Sequence, residues 1–265
     1  MIKRTLKNVW SPQLRNRRDV DVYLPASYPS GVRYPVVYMK DGQNLSDPAA
    51  AFAGTWDLDR TMDRLAWRGL DAIIVGVHNA GRERLAEYSP FPDPRHGGGE
   101  ADEYLAFLVD TLKPRIDRTF NTLRDRDSTA ILGSSMGGLL SLYAFFRYPS
   151  VFGRAGGMSP SIWFGQGAIL DFIQAVRVPR GRVYLDVGTA EGAGTLRDVR
   201  RLGRLLVRKG FRRKRRPSAA STARVGGERY SSTASTLRYV EDAGARHTEA
   251  AWAWRLEGAL AFLLE

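Results

Sequence analysis

The stretch Thr129-Ala130-Ile131-Leu132-Gly133-Ser134-Ser135-Met136-Gly137-Gly138-Leu139-Leu140 carries an apolar run into Gly-x-Ser-x-Gly and then into a helical pattern. A strand that feeds a helix through so tight a turn strains its central residue and lifts that residue's hydroxyl clear of the backbone. Only small neighbours tolerate the turn, and Gly133, Gly137 and Gly138 supply them. The helix expected over 138–148 aims its N-terminus at the serine, where free N–H groups and the positive dipole end favour a developing oxyanion. Ser135 is therefore the candidate nucleophile, and the backbone N–H of Met136 the first candidate oxyanion donor. A bare Gly-x-Ser-x-Gly is a weak signal, so the reading depends on what surrounds it.

Upstream, Arg18 to Leu24 alternates polar and apolar residues, as a half-buried antiparallel edge strand does, until Pro25 stops it. Tyr34-Pro35-Val36-Val37-Tyr38-Met39 and Asp71-Ala72-Ile73-Ile74-Val75-Gly76-Val77 are continuous apolar runs, the mark of strands covered on both faces. The first ends in Lys40-Asp41-Gly42-Gln43-Asn44, a turn able to bring a second backbone donor, the N–H of Gln43, beside Ser135. Helical spacing runs over 55–65 and, with a bend or break at Pro114, over 100–120. Between them, 78–99 is rich in Arg, Gly and Pro; this expected loop supplies candidate rim residues Arg82, Arg84, Glu87 and Tyr88. Downstream, 151–160 reads as a short strand and turn, and Trp163 follows as a candidate wall of an acyl or aryl pocket. Gly181 to Gly188 is another central strand, 198–208 a basic helix, Leu237-Arg238-Tyr239-Val240 a strand, and 248–264 a closing helix. Strands alternating with helices predict a doubly wound α/β fold, with a mainly parallel sheet and an antiparallel N-terminal edge, in a single domain over 1–265.

No cysteine is present, which excludes disulfides, thiolate metal sites and a cysteine nucleophile. No apolar run reaches membrane-spanning length and the N-terminus has no leader-like pattern, so the expectation is a soluble, cytoplasmic protein with no membrane partner. The formal net charge is +12. Seven cations lie in one cluster (Arg208, Lys209, Arg212, Arg213, Lys214, Arg215, Arg216), and with them set aside the charge falls to +5. The cluster opens 211–236, which has almost no apolar periodicity and reads as a flexible basic insertion. An anion- or nucleic-acid-binding role through 208–216 is the reading from another class. A solvated loop is favoured over it, because Phe211 is the only aromatic among those cations.

A serine hydroxyl needs a base. Of three histidines, His78 and His96 precede Ser135, which leaves His247, between the last strand and the terminal helix. The acid must lie between Ser135 and His247 on a loop leaving the same sheet edge. Glu191 fits best; Asp186 is second but falls inside its strand, and Glu241 and Asp242 come third.

These residues resemble the esterase family of α/β-hydrolases that includes enterochelin esterases, feruloyl esterases, S-formylglutathione hydrolases and mycolyltransferases. The likeness is carried by 37–44, by Glu87-Tyr88-Ser89-Pro90, by the serine turn and by Met158-Ser159-Pro160-Ser161-Ile162-Trp163. It continues through Gly188-Thr189-Ala190-Glu191 and Gly244-Ala245-Arg246-His247 into Glu249-Ala250-Ala251-Trp252. The resemblance implies a serine carboxylic-ester hydrolase with nucleophile Ser135, acid Glu191, base His247 and oxyanion donors Gln43 and Met136, working without metal or cofactor on a small-molecule ester. Carbohydrate acyl, phenolic and siderophore esters are the implied substrate classes, and acyl transfer by the same residues is the neighbouring activity. Two departures stand out: Lys40, where many members have His before Asp-Gly, and the insertion at 211–236.

Overall fold

The computed structural model describes all residues except 29, 30, 50, 52, 53 and 215–233. Its nine strands are β1 (Ile2–Ser11), β2 (Asn16–Leu24), β3 (Val36–Lys40), β4 (Ile73–Val77), β5 (Thr129–Ser134), β6 (Arg154–Met158), β7 (Arg182–Gly188), β8 (Arg212–Arg213) and β9 (Thr236–Asp242). They form one sheet in the order β1-β2-β4-β3-β5-β6-β7-β9-β8. β1 pairs antiparallel with β2, and β2 with β4; every other pairing is parallel. The chain steps from β3 outward to β4, returns to lay β5 on the other side of β3, and then proceeds the opposite way. The crevice outside the carboxyl ends of β3 and β5 is thus a topological switch point, where open α/β sheets hold ligands.

The apolar runs alternate between two cores. Val36, Tyr38, Val75, Ile131, Val183 and Leu185 face one layer. It holds α3 (Ala101–Ala106), α4 (Lys113–Thr119), α5 (Ser135–Arg147), α6 (Ala168–Ala175) and α7 (Ala193–Arg208). Val37, Met39, Ile74, Leu132 and Tyr184 face the other, made by α1 (Leu58–Ala66) and α8 (Glu249–Leu264). Two-sided burial is why these strands lack polar alternation. β1 is the reverse case: a charged edge strand, with Lys3, Arg4 and Lys7 exposed, whose pattern conceals it in the sequence.

Three further differences from the sequence reading have physical causes. The expected helix over 100–120 is not broken at Pro114. A π segment, Phe107–Leu112, widens the turn ahead of it, and Pro114 then sits in the first turn of α4, where a missing N–H costs little. The rim loop contains a short helix, α2 (Arg84–Tyr88). Of the expected insertion, 215–233 lies outside the described residues, but its flanks belong to the fold. Phe211 is buried against Phe145 and Phe146, Arg212–Arg213 pair with β9, and Thr236 opens β9 itself.

Helix α8 is anchored at both ends. Thr248 caps its start by accepting the N–H of Ala251. Near its end, carbonyls are taken by guanidinium groups from three strands: Arg154 on Leu263, Arg182 on Phe262 at 3.2 Å and Arg238 on Gly258 at 3.5 Å. Cations suit that end of a helix dipole. Burial pushes Arg154 down to about 10, and the neighbouring Arg182 adds to the shift.

Among the described residues, no helix is long and apolar enough to cross a membrane.

Candidate active site

Loops that leave the carboxyl edge of the sheet after β3, β5, β6, β7 and β9 meet. Ser135 follows β5 directly and holds φ 52°, a left-handed conformation that costs an L-residue about 1–3 kcal/mol. The turn closes because Gly133 lacks a side chain: a Cβ there would stand 2.7 Å from the carbonyl of Gly137. Met136 is the second residue of α5, so its N–H has no intrahelical acceptor.

Across the switch point, β3 runs in register with β5, Met39 opposite Leu132, and the next residues turn toward the serine. Asp41 is left-handed (φ 55°, ψ 48°) and starts a 3₁₀ turn over Gly42–Asn44, with Gln43 at its centre. Gly42 is pressed so closely on Gly76 of β4 that a Cβ would lie 2.4 Å from its carbonyl. The Asp41 carboxylate accepts from Arg84 twice, at 2.6 and 2.8 Å, and from Asn79 Nδ2 at 2.7 Å. Its backbone N–H donates to the Tyr88 hydroxyl at 3.2 Å, and the Gln43 side chain accepts the N–H of Asn79. The loop that presents the Gln43 N–H is therefore fixed from several directions.

His247 reaches the serine from the loop after β9. Its Nε2 is 3.0 Å from Ser135 Oγ and its Nδ1 2.8 Å from Glu191 Oε2. The ring stands edge-on to Trp252, 4.9 Å between centroids. Glu191 stands on the turn after β7 with its side chain buried, which pushes its carboxyl up. The hydrogen bonds from His247, Ser159 Oγ (2.5 Å) and the Gly188 N–H (2.7 Å) outweigh this and hold it below the usual glutamate value. A charged carboxylate with its lone pairs occupied keeps the imidazole proton on Nδ1 and leaves Nε2 to accept one from serine.

The other acids are engaged elsewhere. Asp186 stays within β7, accepts the Ser159 N–H at 3.0 Å and faces Arg255 at 3.5 Å; burial raises it to about 6 against the pull of Arg255. Glu241 is bound by Arg200 and Tyr239, and Asp242 lies 4.0 Å from Arg255.

The expected rim residues divide. Trp163 is half-exposed and meets His96 edge-on at 5.8 Å; the rim loop carrying His96 is tied to the Trp163 turn by Asp93, which accepts the N–H groups of His96 and Gly165. The side chain of Arg82 is 94% exposed and pairs with its neighbour Glu83. Tyr88 is a correction: it is fully buried and serves as the acceptor for the Asp41 N–H, so it lines no pocket. Glu87 is likewise buried, in a pair with Arg18 at 2.7 and 2.8 Å and with Asn16 at 2.8 Å. Lys40, the departure at the end of β3, is buried beneath the loop with Nζ 2.5 Å from Ser141 Oγ, and burial pushes its amine well down.

Sequence reasoning assigned no role to Ser159 or Ser161 in the turn after β6. Ser159, at φ 43°, donates to Glu191 and accepts from Trp252 Nε1 (3.1 Å) and Arg255 Nη2 (2.9 Å). Ser161 Oγ lies 3.1 Å from Ser135 Oγ. The two hydroxyls were visible only within the 158–163 motif, in which Trp163 alone was given a role.

A doubly wound sheet with a serine elbow after β5 and a histidine after the last central strand defines an α/β-hydrolase. The chain belongs to the family described as "Putative esterase", whose model matches residues 11–263, and is accordingly a carboxylic-ester hydrolase. It is similar to "Uncharacterized protein YbbA" of Bacillus subtilis (strain 168), 28% identical over 194 residues that cover 71% of this chain and 74% of that protein. It is similar as well to ferri-bacillibactin esterase BesA of the same organism, 28% identical over 166 residues, 55% of this chain and 54% of BesA. A crystal structure of the BES protein from Bacillus cereus shares the fold, with a TM-score of 0.73 at 20% identity over 99% of this chain and 95% of that one.

Proposed function

We propose that the chain cleaves esters through a covalent acyl-enzyme, with Ser135 as nucleophile, His247 as base and Glu191 as the acid that orients it. The observation that carries this is the unbroken contact from Ser135 Oγ through both ring nitrogens of His247 to Glu191, at 3.0 and 2.8 Å. Ser135 Oγ attacks the ester carbonyl while its proton passes to His247 Nε2. The carbonyl oxygen, now negative, faces the N–H groups of Met136 and Gln43, each worth about 3 kcal/mol of transition-state stabilisation. His247 protonates the departing alcohol; it then takes a proton from water as the water oxygen bonds to the acyl carbon, and returns that proton to Ser135 Oγ as the Oγ–acyl bond breaks and the acid leaves.

The substrate we propose is an ester carrying an aromatic group. Supporting it is the half-exposed Trp163 with His96 beside it. Hydrolysis of p-nitrophenyl esters from acetate to octanoate and of aryl esters, by wild type and Ser135→Ala, together with fluorophosphonate labelling, tests the reading. Turnover and labelling that vanish in the variant support it. A folded wild type that neither labels nor hydrolyses any of them overturns it.

A further inference from the structure

Ser135 Oγ has two partners, His247 Nε2 at 3.0 Å and Ser161 Oγ at 3.1 Å, but one proton. The rest of the network decides where that proton points. Glu191 accepts on both oxygens, from Ser159, Gly188 and His247. With the ring proton committed to Nδ1, His247 Nε2 can only accept, so Ser135 donates to it. Ser135 Oγ is then left as an acceptor, and the hydroxyl facing it is that of Ser161. Ser161 is nearly fully buried, and its backbone N–H donates to the carbonyl of Ser135 at 3.1 Å, so the two residues are tied through main chain and side chain alike. A buried hydroxyl held this way donates to the nearest available lone pair, because an unmade bond there is costly.

We infer that Ser161 is a further catalytic residue, whose hydroxyl donates to Ser135 Oγ and stabilises the negative charge that builds on this oxygen as its proton leaves. The inference rests on the reading of Ser135 as nucleophile. Ser161 neither gives up nor takes a proton. In acylation the Oγ–carbon bond forms as the Oγ proton passes to His247 Nε2, and the Ser161 hydrogen bond strengthens with the charge on Oγ. In deacylation the attack of water builds charge on the water oxygen and the carbonyl oxygen, and Ser135 Oγ gains charge only afterwards, as it departs and His247 returns the proton to it; with the attack of water as the slow half, deacylation depends little on Ser161. The same turn thus serves both ends of the catalytic chain, Ser159 on the acid and Ser161 on the nucleophile. This gives its two hydroxyls separable roles.

The two half-reactions provide the test. Fluorophosphonate labelling reads the attack of Ser135 alone: the Oγ–phosphorus bond forms, the phosphorus–fluorine bond breaks, and the proton goes to His247. Stopped-flow hydrolysis of p-nitrophenyl acetate gives acylation and deacylation rates separately. In Ser161→Ala, labelling and acylation are expected to fall about tenfold or more, with deacylation within about twofold of wild type. Ser161→Cys, close in shape but a poor donor, is expected to show the same split, which separates the lost hydrogen bond from an altered turn. Labelling at the wild-type rate in both variants, or acylation and deacylation falling together, would overturn the inference. A wild type that does not label at all defeats instead the assignment of Ser135.

Discussion

The guanidinium of Arg84 holds both carboxylate oxygens of Asp41, Nε at 2.6 Å from Oδ1 and Nη2 at 2.8 Å from Oδ2. This bidentate pair spans from α2 to the turn after β3, and Asp41 is the left-handed residue from which the Gln43 turn starts. Arg84→Met keeps much of the side chain's bulk and removes the clamp. The expected result is a fall in kcat of about 10–100-fold with KM changed little, because a donor displaced by a fraction of an ångström loses the transition state more than the substrate. An unchanged kcat would show that the turn holds its shape without Arg84.

Glu191→Gln keeps the size of the acid and changes what the imidazole sees. The amide can offer its NH₂ to Nδ1, which favours the tautomer with the proton on Nε2, where it cannot accept from Ser135. A loss of about 10³–10⁴ in kcat is expected, the scale known for this change in serine proteases. Steady-state kinetics on p-nitrophenyl acetate measures it; a loss below tenfold would remove Glu191 from its assigned role.

Trp163→Ala tests the rim. Its face is half-exposed and its contacts are with His96 and Phe164, so stability should be nearly unaffected. KM for aryl esters is expected to rise by about 3–10-fold, in keeping with a lost aromatic contact of about 0.5–1.5 kcal/mol, while KM for ethyl acetate stays the same. Equal effects on both ester types would argue against an aromatic subsite here.

Glu87 and Arg18 form a buried ion pair, each side chain 1% exposed, between Tyr104 and Phe107. Removing one partner strands the other, so Glu87→Ala should cost about 3–5 kcal/mol in urea unfolding. A cost under 1 kcal/mol would mean that water reaches Arg18.

Asp186 gives stability a pH signature. Burial raises its carboxyl to about 6 from the ordinary 3.8, with Arg255 opposing the shift and Glu191 adding to it. The folded state thus prefers the protonated acid. Its contribution is complete below about pH 4 and is lost as pH rises through about 6, a swing on the order of 3 kcal/mol. Asp186→Asn has no such proton, so the stability of wild type relative to the variant should fall between pH 4 and pH 7. A pH-independent difference in urea unfolding would contradict the raised value.

The central strands and the serine turn were legible because two-sided burial and a glycine-forced elbow each leave a local mark on the sequence. Ser135 was marked by its turn and His247 by its place after Ser135 in the chain, while Glu191 was preferred over Asp186, Glu241 and Asp242 for its position at a strand exit; the structure brings the three into contact. Tyr88 was misjudged for a physical reason: a tyrosine in an Arg- and Gly-rich loop reads as exposed, and only the tertiary course of α2 carries its hydroxyl under Asp41. Ser159, Ser161 and Arg255 left no local mark of their roles. Each acts through partners 26 or more residues away, a relation that periodicity and composition do not encode.

Helix α8 works as a lever with the active site at the end of its long arm. His247 and Thr248 lie at its near end, and Trp252 and Arg255 connect its first turns to Ser159, while Arg154, Arg182 and Arg238 grip the far end from three adjacent strands. Its 16 residues span about 24 Å, so a tilt of about 2–3° about the gripped end moves the other by about 1 Å. An error of that size in the placement of a catalytic group can cost about a hundredfold in rate. Three arginines on the opposite edge of the sheet therefore act as the fulcrum that sets how closely the imidazole meets the serine.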